Sequence, residues 1–202
     1  NDDEMPIIYL SGYDYYKGNS SIYRSRDLGE SFQAIKSYSN VENTEIAVGK
    51  VNNNLYAISS DRKTHRMYEL IYSEDEGETW QQIADSSGIY KLVYNQGFYN
   101  LVIETDPVDP DVLYAGGVYL YKSTDHGKSW SQQKGLHVDQ HDLVFLSDTV
   151  ALSANDGGIY KNNSGYFKWD NISKGLGISQ IYGFSVHPLS SNIINQLPKL
   201  KL

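Results

Sequence analysis

The sequence of 202 residues contains no cysteine, which excludes disulfide bonds and catalysis by a thiol nucleophile. It also has no apolar run approaching the roughly 18 residues that a membrane-spanning helix needs. Positive charge is scarce, because 17 Lys and Arg residues stand against 25 Asp and Glu residues, for a net charge of −8. The basic residues are scattered rather than clustered, so nucleic acid is not an expected partner.

The beginning of the chain lacks the basic and apolar regions of a secretory signal peptide, since it opens on Asn-Asp-Asp-Glu. We interpret this start as a processed or truncated end. Tyrosine, by contrast, is abundant, with 18 copies. Tyrosine is favoured both on β-strands and on binding surfaces, so its abundance fits either a strand-rich fold or a ligand-binding face.

One octet, Ser-x-Asp-x-Gly-x-x-aromatic, occurs three times at spacings of 48 and 50 residues, a period typical of arrays of similar units. Each copy stands between two short apolar segments, which predicts a hairpin turn. The glycine would adopt a positive φ, the aspartate would accept hydrogen bonds from turn amides, and the aromatic ring would return to the core. The copies comprise Ser25, Asp27, Gly29 and Phe32; Ser73, Asp75, Gly77 and Trp80; and Ser123, Asp125, Gly127 and Trp130.

These octets resemble the Asp-box, or BNR, repeats of β-propellers. Such repeats occur in sialidases, xyloglucanase-type glycoside hydrolases, sortilin-type receptors and a photosystem II assembly propeller. The resemblance implies an all-β fold made of blades with four antiparallel strands, with the boxes on hairpins away from any active site. At about 40–45 residues per blade, the chain has room for about four blades.

We therefore place residues 1–202 in a single propeller region that is either part of a larger propeller or a small closed ring. In the closed ring, the segment Ile181–Val186 would supply a strand that the first blade lacks. Blade three is expected to begin with a strand at Tyr90–Tyr94. The expected blades are 1–38, 42–85, 89–134 and 140–174, followed by the start of a further strand at 179–188 and an irregular tail at 189–202.

The best candidate for a functional site lies just after the third octet. If this segment is extended, His137, Asp139 and His141 share one face. Two imidazoles and a carboxylate there would suit a divalent metal ion, another ligand or proton transfer. The alternative is a hydrogen-bonded entry loop that fixes the crossing between two blades. Asp156 follows one hairpin later and could reach the same region.

The residues from about 100 to 188 are similar to secreted bacterial BNR-repeat proteins related to xyloglucanase-type hydrolases. The matching elements are the His-x-Asp-x-His segment, Asn155-Asp-Gly-Gly-Ile-Tyr160 and Gly175-Leu-Gly-Ile-Ser-Gln-Ile-Tyr182. The resemblance implies export, to the cell surface or the extracellular space. We expect a non-catalytic module that binds a glycan or a protein, with any remaining blades coming from the same or another chain.

A glycoside hydrolase is the alternative function. Such an enzyme needs two carboxylates across a cleft, and Asp139 and Asp156 are the pair that we nominate. A sialidase is disfavoured, because that family uses an arginine triad and an Arg-Ile-Pro motif, and this sequence has neither that motif nor an arginine after residue 66. A third alternative is an assembly or sorting factor, like the photosystem or sortilin propellers.

Overall fold

The computed structural model describes residues 5–14, 16–85, 92–163, 168–175, 181–187 and 190–198. They are built almost entirely from β-strands joined by turns. The strands are β1 Ile8–Asp14, β2 Asn19–Ser25, β3 Gln33–Tyr38, β4 Val41–Val48, β5 Leu55–Asp61, β6 Met67–Ser73, β7 Gln81–Asp85, β8 Val102–Thr105, β9 Leu113–Gly116, β10 Leu120–Ser123, β11 Ser131–Gln132, β12 Gln140–Ser147, β13 Val150–Asn155, β14 Gly158–Asn163, β15 Trp169–Asn171, β16 Ile181–His187 and β17 Ser190–Pro198.

The strands form consecutive antiparallel sheets in which each strand pairs with its neighbour in sequence. Three sheets have four strands each: β4 to β7, β8 to β11, and β12 to β15. The first sheet contains β1 to β3, and the last contains β16 and β17. Contacts between the sheets run from β1 to β4, from β4 to β8 and from β8 to β12. The first strands of the three complete sheets, β4, β8 and β12, therefore line up on the inside, in the manner of propeller blades.

In the part of the chain that the structure describes, the first sheet has three strands, and none of them is the counterpart of β4, β8 or β12. The octet lies between the third and fourth strands in the sheet of β4 to β7, but between the second and third in the first sheet. Strand β1 therefore corresponds to the second strand of a complete blade. Among the described strands, β16 pairs with β17 rather than with β1, and it lies against β12 and β13.

Two expectations about strands were wrong. The tail from residue 189 was expected to be irregular, but Ser190–Pro198 forms β17, which folds back on β16 with Ile194 opposite Val186. The expected strand at Tyr90–Tyr94 is not formed, because Leu92 to Tyr94 lie in a turn, while residues 90 and 91 lie outside the described residues. Leu92 and Val93 are fully buried, so their apolar character reflects a turn that packs into the core.

The core lies between neighbouring blades rather than within one sheet. One apolar cluster joins β5 and β6 to β8 and β9, and includes Tyr56, Leu70, Ile103 and Leu113. A second cluster joins the following pair of sheets and includes Trp169. Burial between the faces of adjacent sheets is what holds a propeller together, because each blade alone leaves both faces exposed.

Each octet closes on itself through the same hydrogen bonds. In the second copy, the Oγ of Ser73 donates to Asp75 Oδ1 at 2.8 Å and accepts the amide of Gly77 at 2.7 Å. The Asp75 carboxylate also accepts the amide and hydroxyl of Thr79, at 2.8 and 2.6 Å. Side-chain and backbone hydrogen bonds of this kind lower the pKa of the three octet aspartates, Asp27, Asp75 and Asp125, to about 2.

The octets also tie each blade to the one before it. A Cβ on Gly77 would lie 2.4 Å from Cδ1 of Ile35 on β3, and a Cβ on Gly127 would lie 2.3 Å from Cγ2 of Ile83 on β7. The buried Arg24 of β2 donates to the carbonyl oxygen of Glu76 in the second octet, at 2.8 Å. These glycines are therefore needed for close approach between blades as well as for their positive φ.

We predict that Gly77→Ala destabilises the protein more than Gly29→Ala does. Both glycines have φ near +90°, which costs a side chain about 1–2 kcal/mol. A Cβ on Gly29 meets nothing closer than 3.8 Å, whereas a Cβ on Gly77 would have to displace the end of the Ile35 side chain, adding about 1 kcal/mol of overpacking. Equilibrium unfolding in denaturant measures the difference. Equal losses of stability in the two variants would contradict the contact between blades.

Candidate functional site

The antiparallel order places the connections alternately at the two ends of each sheet. The octets and the β4–β5, β8–β9 and β12–β13 turns lie at one end. The β5–β6, β9–β10 and β13–β14 turns lie at the other end, together with the connections between blades. We call this second end the crossing face. All of the candidate residues from 137 to 141, as well as Asp156, lie at the crossing face.

Four aromatic rings follow one another across the crossing face. The ring of Phe98 lies 4.9 Å from that of His65 and 6.4 Å from that of Tyr99, and Tyr99 lies 5.0 Å from His141. Phe98 is 57% exposed. We call these four side chains the aromatic strip. It crosses from the β5–β6 turn, over the connection into β8, to the first residues of β12.

Each end of the aromatic strip is a histidine bonded to a carboxylate. His65 Nδ1 lies 2.7 Å from Glu42 Oε1, and His141 Nε2 lies 2.6 Å from Asp156 Oδ1. The His141 side chain is only 4% exposed, while that of Asp156 is 32% exposed. The carboxylates thereby orient both imidazole rings, which fixes the ends of the strip.

The middle of the strip is held by the backbone. The amide of Gly97 donates to the carbonyl oxygen of His65 at 2.8 Å, and the Asn43 side chain donates to the carbonyl oxygen of Gly97 at 2.9 Å. A Cβ on Gly97 would lie 2.3 Å from Cβ of Ser60, so this turn sits directly on blade two. The exposed ring of Phe98 is consequently presented from a well-anchored turn.

Asp139 does not share one extended face with the two histidines. Its φ of 62° is left-handed, so the two-residue alternation expected from residue 137 to residue 141 does not hold. Its carboxylate accepts a hydrogen bond from Asn100 Nδ2 at 2.7 Å, and its amide donates to Val118 at 2.9 Å. Asp139 therefore fixes the crossing from blade three to blade four, as the entry-loop alternative expects.

His137 and His141 are directed to different neighbours. His137 Nδ1 lies 3.0 Å from the carbonyl oxygen of Val138, and Gly157 packs against the ring of His137. In the part of the chain that the structure describes, no three His, Asp or Glu side chains are grouped as ligands for one metal ion. The possible divalent metal at His137, Asp139 and His141 stays a prediction.

The nominated catalytic carboxylates, Asp139 and Asp156, lie on adjacent segments. The amide of Asp156 donates to the carbonyl oxygen of Asp139 at 3.2 Å. Each carboxylate already has a polar partner, Asn100 for Asp139 and His141 for Asp156. The geometry thus brings the pair to one place but engages both side chains in holding the loop and the strip. Their catalytic role stays a prediction.

The sequence pattern predicts His141 and Asp156 as site residues but not the aromatic residues beside them. Phe98 and Tyr99 stand directly after Gly97, between the expected strand at Tyr90–Tyr94 and β8. An exposed aromatic pair after a turn glycine was the signal available. His65 and Glu42 belong to different elements, and nothing local in the sequence connects them.

Residues 121–132 match the family model of the BNR/Asp-box repeat. Among solved structures, the GH74 xyloglucanase from Xanthomonas campestris is 18% identical to this chain, with a TM-score of 0.67. The matched region covers 93% of this chain and 32% of the enzyme's chain. The GH74 enzyme from Niastella koreensis is 16% identical with a TM-score of 0.63, covering 87% and 31%. This chain has the fold of an Asp-box β-propeller.

The Asp-box propeller spans about a third of the length of these two enzymes. It is also similar to YCF48, in a structure bound to a D1 peptide, with 16% identity, a TM-score of 0.58, and coverage of 98% of this chain and 64% of the other. No curated protein sequence matches the chain. The predicted all-β propeller fold is confirmed.

None of the described residues forms a helix long and apolar enough to cross a membrane.

The inner strands of the Asp-box propeller carry interacting acidic residues. Glu45 lies on β4, Glu104 on β8 and Asp142 on β12. Desolvation by the surrounding strands and, secondarily, the negative charge of Asp142 raise the pKa of Glu45 to about 7. Desolvation likewise raises the pKa of Glu104. Water still reaches the Glu45 side chain, so we expect a smaller effect on stability than full burial would give.

We predict that Glu45→Gln stabilises the Asp-box propeller at pH 8 but not at pH 4. The pKa of Glu45 in the folded state lies above the unfolded value of 4.5. Between these two pH values the folded protein keeps a proton on Glu45 that the unfolded chain has already released. Wild-type stability therefore falls as the pH rises from about 4.5 to 7, and glutamine removes this loss. Thermal unfolding at several pH values measures it. Glu30→Gln, at an exposed turn, is the control, and an identical pH profile in both variants would refute the assignment.

Proposed function

We propose that this Asp-box propeller is a non-catalytic binding module of an exported protein and that it holds a glycan along the aromatic strip. The observation that carries the proposal is the exposed part of this strip, with the Phe98 side chain 57% exposed at its centre and that of His65 43% exposed at one end. The ring of His141, only 4% exposed, packs edge-on against Tyr99 and supports the other end. Aromatic rings present a large apolar surface at little entropic cost, which suits them to contact the faces of sugar rings.

The carboxylates beside the strip supply the polar part of such a site. Glu42 and Asp156 each accept from a histidine, and a carboxylate can accept several hydrogen bonds, including one from a sugar hydroxyl. A binding site that combines apolar rings with a few fixed polar groups is typical of specific ligand recognition. Because both histidines and the Gly97 turn are held by hydrogen bonds, little ordering is needed when a ligand binds.

A glycoside hydrolase is the second candidate. The fold shared with the two GH74 enzymes favours this function. So does the geometry, because Asp139 and Asp156 lie side by side and the Asp156 carboxylate contacts the imidazole of His141. We favour binding without catalysis, because both carboxylates are engaged in holding the loop and the strip. A protein ligand, as in the peptide-bound YCF48 structure, is the other possible occupant of the crossing face.

We predict that Phe98→Ala weakens glycan binding by at least about fivefold, the effect expected when a central contact residue is truncated. The measurement is calorimetric titration with the ligand that a glycan array identifies, with β-glucan oligosaccharides tested first. Val108→Ala is the matched control, because Val108 is equally exposed, at 58%, and lies at the opposite end of the blades.

Two outcomes would contradict this proposal. Wild-type protein that binds no glycan, but binds peptides through Phe98, would assign the strip to a protein ligand. Glycan binding that is weakened equally by Phe98→Ala and by Val108→Ala would place the binding site elsewhere.

We predict that wild-type protein releases no reducing sugar from β-glucans and that Asp139→Asn and Asp156→Asn leave this result unchanged. If hydrolysis is observed, each variant should be assayed separately. Activity abolished by Asp139→Asn or by Asp156→Asn would support the hydrolase instead. Circular dichroism of both variants is needed to exclude unfolding, since both side chains form loop contacts.

A further inference from the structure

One turn of the crossing face carries a group of positive charges. Arg62, Lys63 and Arg66 fall within five positions, although Lys and Arg are thinly spread through the rest of the sequence. They belong to the β5–β6 turn, and all three residues are exposed. The same turn carries His65, the first ring of the aromatic strip. Positive charge therefore stands at one end of the strip.

The two carboxylates at this end of the strip are already engaged. Asp61 Oδ1 accepts from the amides of Lys63 and Thr64, at 3.0 and 2.8 Å, and so closes the turn that bears the cations. Glu42 is bonded to His65, and its side chain is only 13% exposed. Three exposed cations thus stand beside two carboxylates whose oxygens have other partners.

None of the three cations forms a salt bridge with a side chain that the structure describes. Arg62 instead donates to the carbonyl oxygen of Gly18, a neutral acceptor, at 3.3 Å. Outside the described side chains, the sequence has carboxylates only at residues 2–4 and at Asp85. Residues 2–4 precede the start of β1, which lies beside the first octet, and Asp85 alone can pair with no more than one cation. At least two of the cations therefore remain available to a ligand.

The turn that bears the cations is joined to the turn that bears Phe98. The amide of Asp61 donates to the carbonyl oxygen of Arg66 at 2.7 Å, which closes the first turn. The amide of Gly97 donates to the carbonyl oxygen of His65 at 2.8 Å, which links the second turn to the first. Little backbone ordering is consequently needed for one ligand to contact both.

The charge changes sign along the aromatic strip. The matching turn of blade three, residues 117–119, has no charged residue, and the matching turn of blade four holds Asp156. Asp139 lies beside Asp156 at that far end. A ligand with an anionic group is therefore favoured with that group at the His65 end of the strip.

The octet end of the blades disfavours anions. Among its described residues, exposed carboxylates such as those of Glu30, Glu74, Asp111 and Asp148 outnumber the exposed cations. An uneven charge distribution of this kind directs a charged ligand toward the surface of opposite sign. An anionic ligand is consequently steered to the crossing face.

We infer that the glycan held along the aromatic strip is an anionic one, with a carboxylate or sulfate group bound by Lys63 and Arg66 beside His65. The inference rests on the proposed function, because it takes the strip as the site that contacts the sugar rings. A guanidinium donates two parallel N–H groups to such an oxyanion, and an ammonium adds a compact positive charge. Phe98, next to His65 in the strip, contacts the sugar ring that carries the acid.

The test compares pairs of oligosaccharides that differ only in charge. Calorimetric titration uses tetragalacturonic acid with its methyl ester for the carboxylate, and a sulfated galactose tetramer with its unsulfated form for the sulfate. We expect wild-type protein to bind at least one acidic member about tenfold more tightly than its neutral partner. This preference should shrink as the salt concentration rises, because exposed charges are screened.

Lys63→Gln and Arg66→Gln remove the charges while keeping most of each side chain. Each variant should weaken binding of the acidic member about threefold, and the double variant about tenfold, while binding of the neutral member stays unchanged. Lys128→Gln is the matched control, because it removes the same charge from an exposed lysine of the third octet, at the opposite end of the blades. Thermal unfolding confirms that the variants are folded.

Three outcomes would overturn the inference. They are equal binding of the acidic and neutral members, equal weakening by Lys63→Gln and by Lys128→Gln, and binding of an acidic peptide but of no acidic glycan. The proposed function fails in a different way. A Phe98→Ala variant that binds both members like wild type contradicts the strip, whereas unaffected Lys63→Gln and Arg66→Gln variants contradict this inference alone.

Discussion

The hydroxyl at the head of each Asp box is the interaction on which the rest of the structure depends. The Oγ of Ser73 donates to the box aspartate and accepts the amide of the box glycine, so one atom closes both sides of the turn. The aspartate then binds the amide and hydroxyl four residues later. This network fixes the third and fourth strands of the blade in register and leaves the box glycine at the boundary with the previous blade.

The two ends of the blades consequently differ. At the octet end, repeated short-range hydrogen bonds and tight glycine contacts hold neighbouring blades together. At the crossing face, the connections between blades differ from one another, and side chains such as Phe98 remain exposed. Rigid scaffolding at one end and variable loops at the other is the division that lets a fold carry a binding site without losing stability.

The regular parts of the molecule could be predicted from the sequence because their signals are local. The octets predict hairpins, and their glycines have the expected positive φ. The candidate site is harder to predict from the sequence, because it depends on backbone conformation and on contacts between residues that are distant in sequence. A left-handed Asp139 breaks a strand-like alternation that the residue types alone suggest. The pairing of His65 with Glu42 and the burial of Leu92 in a turn depend on how the blades pack.

The residue before each box glycine is also left-handed, with φ of 60° at Leu28, 59° at Glu76 and 58° at His126. Its backbone is fixed by the box, while its side chain reaches the neighbouring blade: Glu76 pairs with Arg26, and the ring of His126 lies 4.8 Å from that of Tyr72. Leu28, with no earlier blade in the described residues, is 59% exposed. This position therefore combines a fixed left-handed backbone with a side chain whose contact differs in chemistry at each boundary, an ion pair at one and a ring contact at the next.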